Sequence, residues 1–190
     1  MIEGAAQAVG QALAARQDAE MTVGAAFEWD VAYNRRVIMR DGTARTHGRF
    51  NDPDALTHEG PIDPEVAVLA VRGADGAFKG AVVNFACHPT HHGGEQFFSA
   101  GYPGALAREL KAKGIPVTLF LQGAAGTIAY DDPRGVPDKT MEEIGKILAD
   151  DVMKAIADKP VWHKPAMLSA ASEHLAIPYR QVTEIDIEGK

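Results

Sequence analysis

Basic charge, cysteine and long apolar runs are all scarce in this chain, and each scarcity excludes a class of function. Nineteen Lys and Arg against 26 Asp and Glu leave a net charge of -7. With no basic patch to track a phosphate backbone, the chain lacks the electrostatic footprint of a nucleic-acid binder. Cys87 is the only cysteine, which rules out an internal disulfide and any CxxC metal site. No apolar run approaches the roughly 20 residues of a membrane-spanning helix. The opening Met1-Ile2-Glu3-Gly4-Ala5-Ala6 has neither the basic nor the apolar region of a signal peptide. The compartment stays open: cytoplasmic, or exported if a leader lies upstream.

What is present fits an ordinary globular protein. A hydrophobic fraction of 46% and a charged fraction of 24% are typical of soluble domains. The length suits one domain over residues 1–190 with a sizeable core. No internal repeat or low-complexity segment interrupts it.

Periodicity predicts an α/β fold. Ile2, Ala5, Ala6, Val9 and Leu13 recur near helical spacing, so Ile2–Arg16 reads as an amphipathic helix with its apolar face inward. No cap residue precedes it, as if a longer helix had been cut. Glu20–Trp29 reads as a strand leading to Tyr33-Asn34-Arg35-Arg36. Arg40–Asp63 is polar and rich in Gly and Pro, the pattern of a long surface loop. Glu65–Arg72 and Phe78–Cys87 flank Gly73-Ala74-Asp75-Gly76, so they are expected to pair antiparallel through a tight turn.

Tyr102–Lys113 reads as a helix with Pro103 in its first turn and Gly114 as its stop. The near-continuous apolar run Ile115–Leu121 reads as a strand buried on both faces. Asp138 or Thr140 can cap a helix from Met141 to Asp158. Met167–Ile177 alternates weakly and is a candidate last strand. A mixed sheet covered by the helices at Ile2, Tyr102 and Met141 follows.

Chemistry concentrates between Phe78 and Pro133. Strand ends are where α/β sheets handle ligands, and one predicted strand ends in Cys87-His88-Pro89-Thr90-His91-His92. Histidine is a common zinc ligand. Pro89 breaks the pairing after His88 and would turn that imidazole out of the sheet edge into a crevice. His91 and His92 read equally well as solvated loop residues. Cys87 and His88 are adjacent on an extended strand, so their side chains point to opposite faces and cannot form a nucleophile–base pair. Cys87 reads as a buried structural thiol.

The second strand end carries Gly123-Ala124-Ala125-Gly126. Small residues there allow close backbone approach and can present N–H donors to an oxyanion, although a plain tight turn explains them as well. Ser99 lacks a nucleophile-elbow context and reads as a helix cap. Asn34-Arg35-Arg36 is either a carboxylate or phosphate clamp or a solvated turn.

Five segments occur in a characteristic order: Asn34-Arg35-Arg36, Gly60-Pro61-Ile62-Asp63-Pro64-Glu65-Val66, Asn84-Phe85-Ala86-Cys87-His88-Pro89, Ser99-Ala100-Gly101-Tyr102-Pro103-Gly104 and Leu121-Gln122-Gly123-Ala124-Ala125-Gly126. Together they resemble the neutral/alkaline, non-lysosomal ceramidase family, closest to its uncharacterised bacterial relatives. The resemblance runs from about Ile2 to Leu175. It implies a partial ceramidase-like catalytic domain, a zinc ion, and hydrolysis of an N-acyl amide or lipid amide substrate. It implies that His88 is a zinc ligand, that Arg35 lines the substrate pocket, and that Gly123 and Gly126 belong to the loop beside the metal.

Where that family carries an acid and a serine in this loop, the chain has Thr127 and Ala129, and Tyr130 replaces a proline. Ser99-Ala100-Gly101 likewise lacks the family's aspartate. The other zinc ligands, a His-x-His segment and a Glu and Tyr, are expected outside residues 1–190. The chain therefore reads as a central fragment. A non-catalytic relative that binds rather than cleaves is the alternative.

Overall fold

A computed structural model describes residues 2–158, 160–164, 169–179 and 181–182. In chain order its elements are α1 (Ile2–Ala14), β1 (Ala19–Phe27), β2 (Tyr33–Asn34), β3 (Arg36–Met39), β4 (Ala44–Thr46), β5 (Ala55–His58), β6 (Glu65–Gly73), β7 (Phe78–Phe85), α2 (Gly101–Ala112), β8 (Thr118–Gln122), β9 (Ile128–Ala129) and α3 (Met141–Ala157).

The main sheet is mixed, in the order β1-β6-β7-β8. Strands β1, β6 and β7 run antiparallel, and the hairpin joining β6 to β7 is the one the sequence predicts. Strands β7 and β8 are parallel, joined through α2 as a parallel pair requires. That crossover has a functional consequence. The C-terminal ends of β7 and β8 share one edge of the sheet, and they carry His88 and Gly123.

One sheet face is the core. Alternate residues Val66, Val68 and Ala70 of β6 and Ala81, Val83 and Phe85 of β7 are buried, as the period-2 geometry of strands demands. They pack with Tyr102, Leu106 and Leu110 of α2 and Ile144, Leu148 and Val152 of α3. Helix α3 starts with a capping box: Thr140 Oγ1 accepts from the Glu143 N–H at 3.2 Å, and Glu143 Oε2 accepts from the Thr140 N–H at 2.8 Å. Helix α2 stops at Gly114, whose φ of +95° suits glycine.

Four expectations need correction. The apolar face of α1 is not turned inward; every residue of the helix is exposed and none is buried. Arg40–Asp63 is not a plain loop, because β4 and β5 flank β3 in a second, three-stranded sheet. Strand β8 is not covered on both faces: Leu119 and Leu121 are 59% and 54% exposed at the sheet edge. Of the candidate last strand, Met167 and Leu168 lie outside the described residues, and 169–177 form no strand. A two-stranded ladder, β2 against β9, completes the architecture. No described helix is long and apolar enough to cross a membrane.

Candidate functional site

The loop from Gly123 to Pro133 is the spine of the site, and segments distant in sequence hang from its backbone. It begins against the end of β7, where the Gly123 N–H donates to the Phe85 carbonyl at 3.0 Å. A Cβ at Gly123 would lie 3.0–3.1 Å from Ala86 Cβ, Cα and N. Glycine therefore lets this loop press onto the segment that leads to His88.

His88 is bound twice to one carbonyl. Its backbone N–H and its ring Nδ1 both reach Ile128 O, at 3.2 and 2.8 Å. A carbonyl only accepts, so Nδ1 carries the hydrogen and Nε2 of the neutral ring is a lone pair. The one side-chain hydrogen bond of His88 among the described residues is this one through Nδ1, which leaves Nε2 free. A backbone carbonyl on the remote ring nitrogen is how metal-binding histidines are commonly oriented.

The peptide preceding His88 is fixed from the other side. The Tyr102 hydroxyl donates to Cys87 O at 2.6 Å from a fully buried ring. Cys87 is itself buried and free. Burial, with a smaller contribution from the Asp131 charge, pushes its thiol up to about 12. It is therefore no nucleophile at neutral pH.

The three imidazoles do not converge. His91 stacks on Tyr130 with ring centroids 3.8 Å apart, donates Nε2–H to Lys139 O at 3.0 Å, and leaves Nδ1 buried without a partner. His92 faces Glu95 at 3.2 Å and leans on Phe97. Among the described residues no group of three or more His, Cys, Asp or Glu could hold a metal ion. The described residues thus assemble no complete metal centre, and of the three histidines only His88 is anchored through Nδ1 to the site loop.

Arg35 joins the loop from the opposite side. Its N–H donates to Thr127 O at 2.9 Å and its Nη2 to Gly126 O at 3.1 Å. The structure thus brings together Arg35, Gly123, Gly126 and His88 around one loop. Gly126 is exposed, and a Cβ there meets nothing within 4 Å, so space does not dictate that glycine. Arg36 is no part of a clamp, because it pairs with Glu59. Asn34 is buried and structural: its Nδ2 donates to Gly60 O at 3.1 Å and its Oδ1 accepts from the Arg36 N–H at 3.0 Å.

Ala129 is buried in the β2–β9 ladder opposite Tyr33. Ser99 Oγ accepts from the Gly101 N–H at 3.0 Å, while the helix cap position is Ala100. The serine supports the start of α2 one residue earlier than a cap would.

Sequence reasoning missed two residues. His47 Nδ1 lies 3.0 Å from Asp131 Oδ2 and its Nε2 lies 3.3 Å from Arg35 Nη1. Arg49 approaches the same Asp131 at 3.7 Å. Below them Asp132 is buried. Burial pushes its carboxyl up, but hydrogen bonds from the Arg134 side chain and N–H outweigh this and hold it below the usual range. A cavity of about 380 Å³ opens nearby, lined by Trp29, Ala32, Tyr33, Asn34, His58, Gly60, Pro61 and Ile62.

This arrangement of sheet, crossover helix and site loop is a ceramidase-like fold. It matches the solved neutral ceramidase from Pseudomonas aeruginosa with a TM-score of 0.62 at 20% identity, over 83% of this chain and 25% of that one. It also matches a ceramidase complexed with C2, with a TM-score of 0.59 at 20% identity, over 78% and 24%. The chain spans about a quarter of the length of these structures. No family model matches it, and no curated protein does so.

Proposed function

We propose that residues 1–190 are one part of the catalytic domain of a metal-dependent amide hydrolase of ceramidase type, acting on an N-acyl amide or lipid amide. The observation that carries this reading is His88. Its Nδ1 is tied to Ile128 O at 2.8 Å and its Nε2 is left free, at the shared edge of two parallel strands, in a fold like that of a solved ceramidase. Zinc is the metal that the resemblance implies, and His88 is the ligand this chain offers it. Arg35 is the contact for the substrate carbonyl or product carboxylate, and Gly123 to Gly126 form the wall beside it.

A second reading has its own observation. Ala129 is packed into a ladder, and by the resemblance it and Thr127 fall where the ceramidase family carries a serine and an acid. A relative that binds the amide without cleaving it would tolerate this. Fatty-acid release by the full-length parent protein separates the two readings. Labelled ceramide and short N-acyl amides are the substrates, and His88→Ala is the control. Release that depends on His88 supports the hydrolase; an inactive full-length parent sinks it.

A further inference from the structure

Arg35 stands apart from most arginines of this chain. Arg36, Arg45, Arg49, Arg72, Arg108 and Arg134 each face a carboxylate. Arg35 has no carboxylate partner among the described residues. Its Nη2 donates to the Gly126 carbonyl at 3.1 Å, its Nη1 donates to His47 Nε2 at 3.3 Å, and its Nε is buried with no acceptor. A guanidinium with five donors is thus held by two neutral acceptors, and its charge stays unmatched.

His47 grips the same residue twice. Its backbone N–H donates to the Arg35 carbonyl at 2.7 Å, and its ring meets the Arg35 side chain. It does so from a φ of +58°, a left-handed conformation that residues other than glycine adopt sparingly. Arginine only donates, so Nε2 accepts and Nδ1–H goes to Asp131 Oδ2 at 3.0 Å. The interposed ring matters. A carboxylate placed directly on Arg35 would neutralise it. An imidazole between Asp131 and Arg35 fixes the guanidinium without matching its charge.

We propose that His47 and Asp131 are positioning residues for Arg35, holding its planar fork beside the Gly126–Thr127 turn as the receptor for a ligand carboxylate. A carboxylate pairs with guanidinium through two parallel hydrogen bonds. The proposal rests on the reading of Arg35 as a ligand contact, but its test needs neither metal nor turnover.

Binding of hexanoate to the 190-residue chain is measured by calorimetry, with hexanamide as the neutral probe and inorganic phosphate as the other anion. Wild type binds hexanoate in preference to both, and Arg35→Ala abolishes this. The decisive variant is His47→Asn. Asparagine tolerates the left-handed backbone and can still donate to Asp131, but it is too short to reach Arg35. It should keep the thermal midpoint within about 2 °C while weakening hexanoate about tenfold. Hexanoate affinity unchanged in His47→Asn overturns the positioning role. Phosphate binding as tightly as hexanoate overturns the carboxylate assignment. Absence of hexanoate binding, or binding that survives Arg35→Ala, overturns the receptor itself. Each of these results leaves the hydrolase test on the parent protein independent.

Discussion

Changing Tyr102 to Phe should loosen the segment that presents His88 while leaving the core packed. The Tyr102 ring is fully buried and meets Phe120 edge-on, with centroids 5.5 Å apart; phenylalanine keeps both features. What is lost is the hydroxyl that donates to Cys87 O at 2.6 Å. Burial holds this phenol well above its ordinary pKa, so the donor is present at any working pH. Cys87 is 0% exposed, so water cannot take over as donor. An orphaned buried acceptor costs about 1–3 kcal/mol. At about 2 kcal/mol, a chain of this length should melt about 4–8 °C lower. Hydrogen exchange should rise at Ala86–His88 and stay unchanged in α3. The assay is a thermal melt of Tyr102→Phe beside wild type, followed by exchange at single residues. A midpoint within about 1 °C of wild type would refute the claim that this hydroxyl tethers the site.

Three further outcomes follow from named contacts. Thr140→Ala removes the capping box of α3 and should cost about 1 kcal/mol, read as a melting decrease of about 2–4 °C. Hydrogen bonds from the Thr140 N–H and hydroxyl hold the Glu143 carboxyl below its ordinary 4.5. That contribution is therefore complete above pH 4.5 and lost as pH falls through the lower folded value, so the gap between wild type and variant should narrow in acid. Cys87 should resist a thiol-reactive disulfide reagent at pH 8 in the native protein and react fully in denaturant; rapid native labelling would contradict the burial that pushes its thiol to about 12. Gly123→Ala places a Cβ 3.0–3.1 Å from Ala86 atoms and should cost about 1–3 kcal/mol, detected as a lower urea midpoint.

The hairpin, the crossover helix and the capped α3 were legible because their signals are local. Gly73-Ala74-Asp75-Gly76, Pro103 with Gly114, and the cap candidates Asp138 and Thr140, of which Thr140 is the cap, lie within a few residues of the structures they specify. The outer surfaces were not legible. An apolar run does not say which of its faces another layer covers, so β8 read as central although Leu119 and Leu121 lie exposed at an edge. The regular spacing of α1 says that one face is apolar, not that anything packs on it.

The same limit applied to the site. His88 and the Gly123 turn announced themselves as strand ends. His47 and Asp131 did not, because 84 residues separate them and only the fold brings the imidazole between Asp131 and Arg35. Strands β4 and β5 were hidden for a related reason. They are three and four residues long and gain their hydrogen bonds from β3 rather than from each other.

Zinc content of the full-length parent protein, measured by elemental analysis on wild type and His88→Ala, tests the central claim most directly. A free Nε2 on an anchored ring predicts stoichiometric zinc in wild type and its loss in the variant, with the variant still folded by circular dichroism. A wild type without zinc, or a His88→Ala protein that keeps it, would contradict the assignment of His88 as a metal ligand.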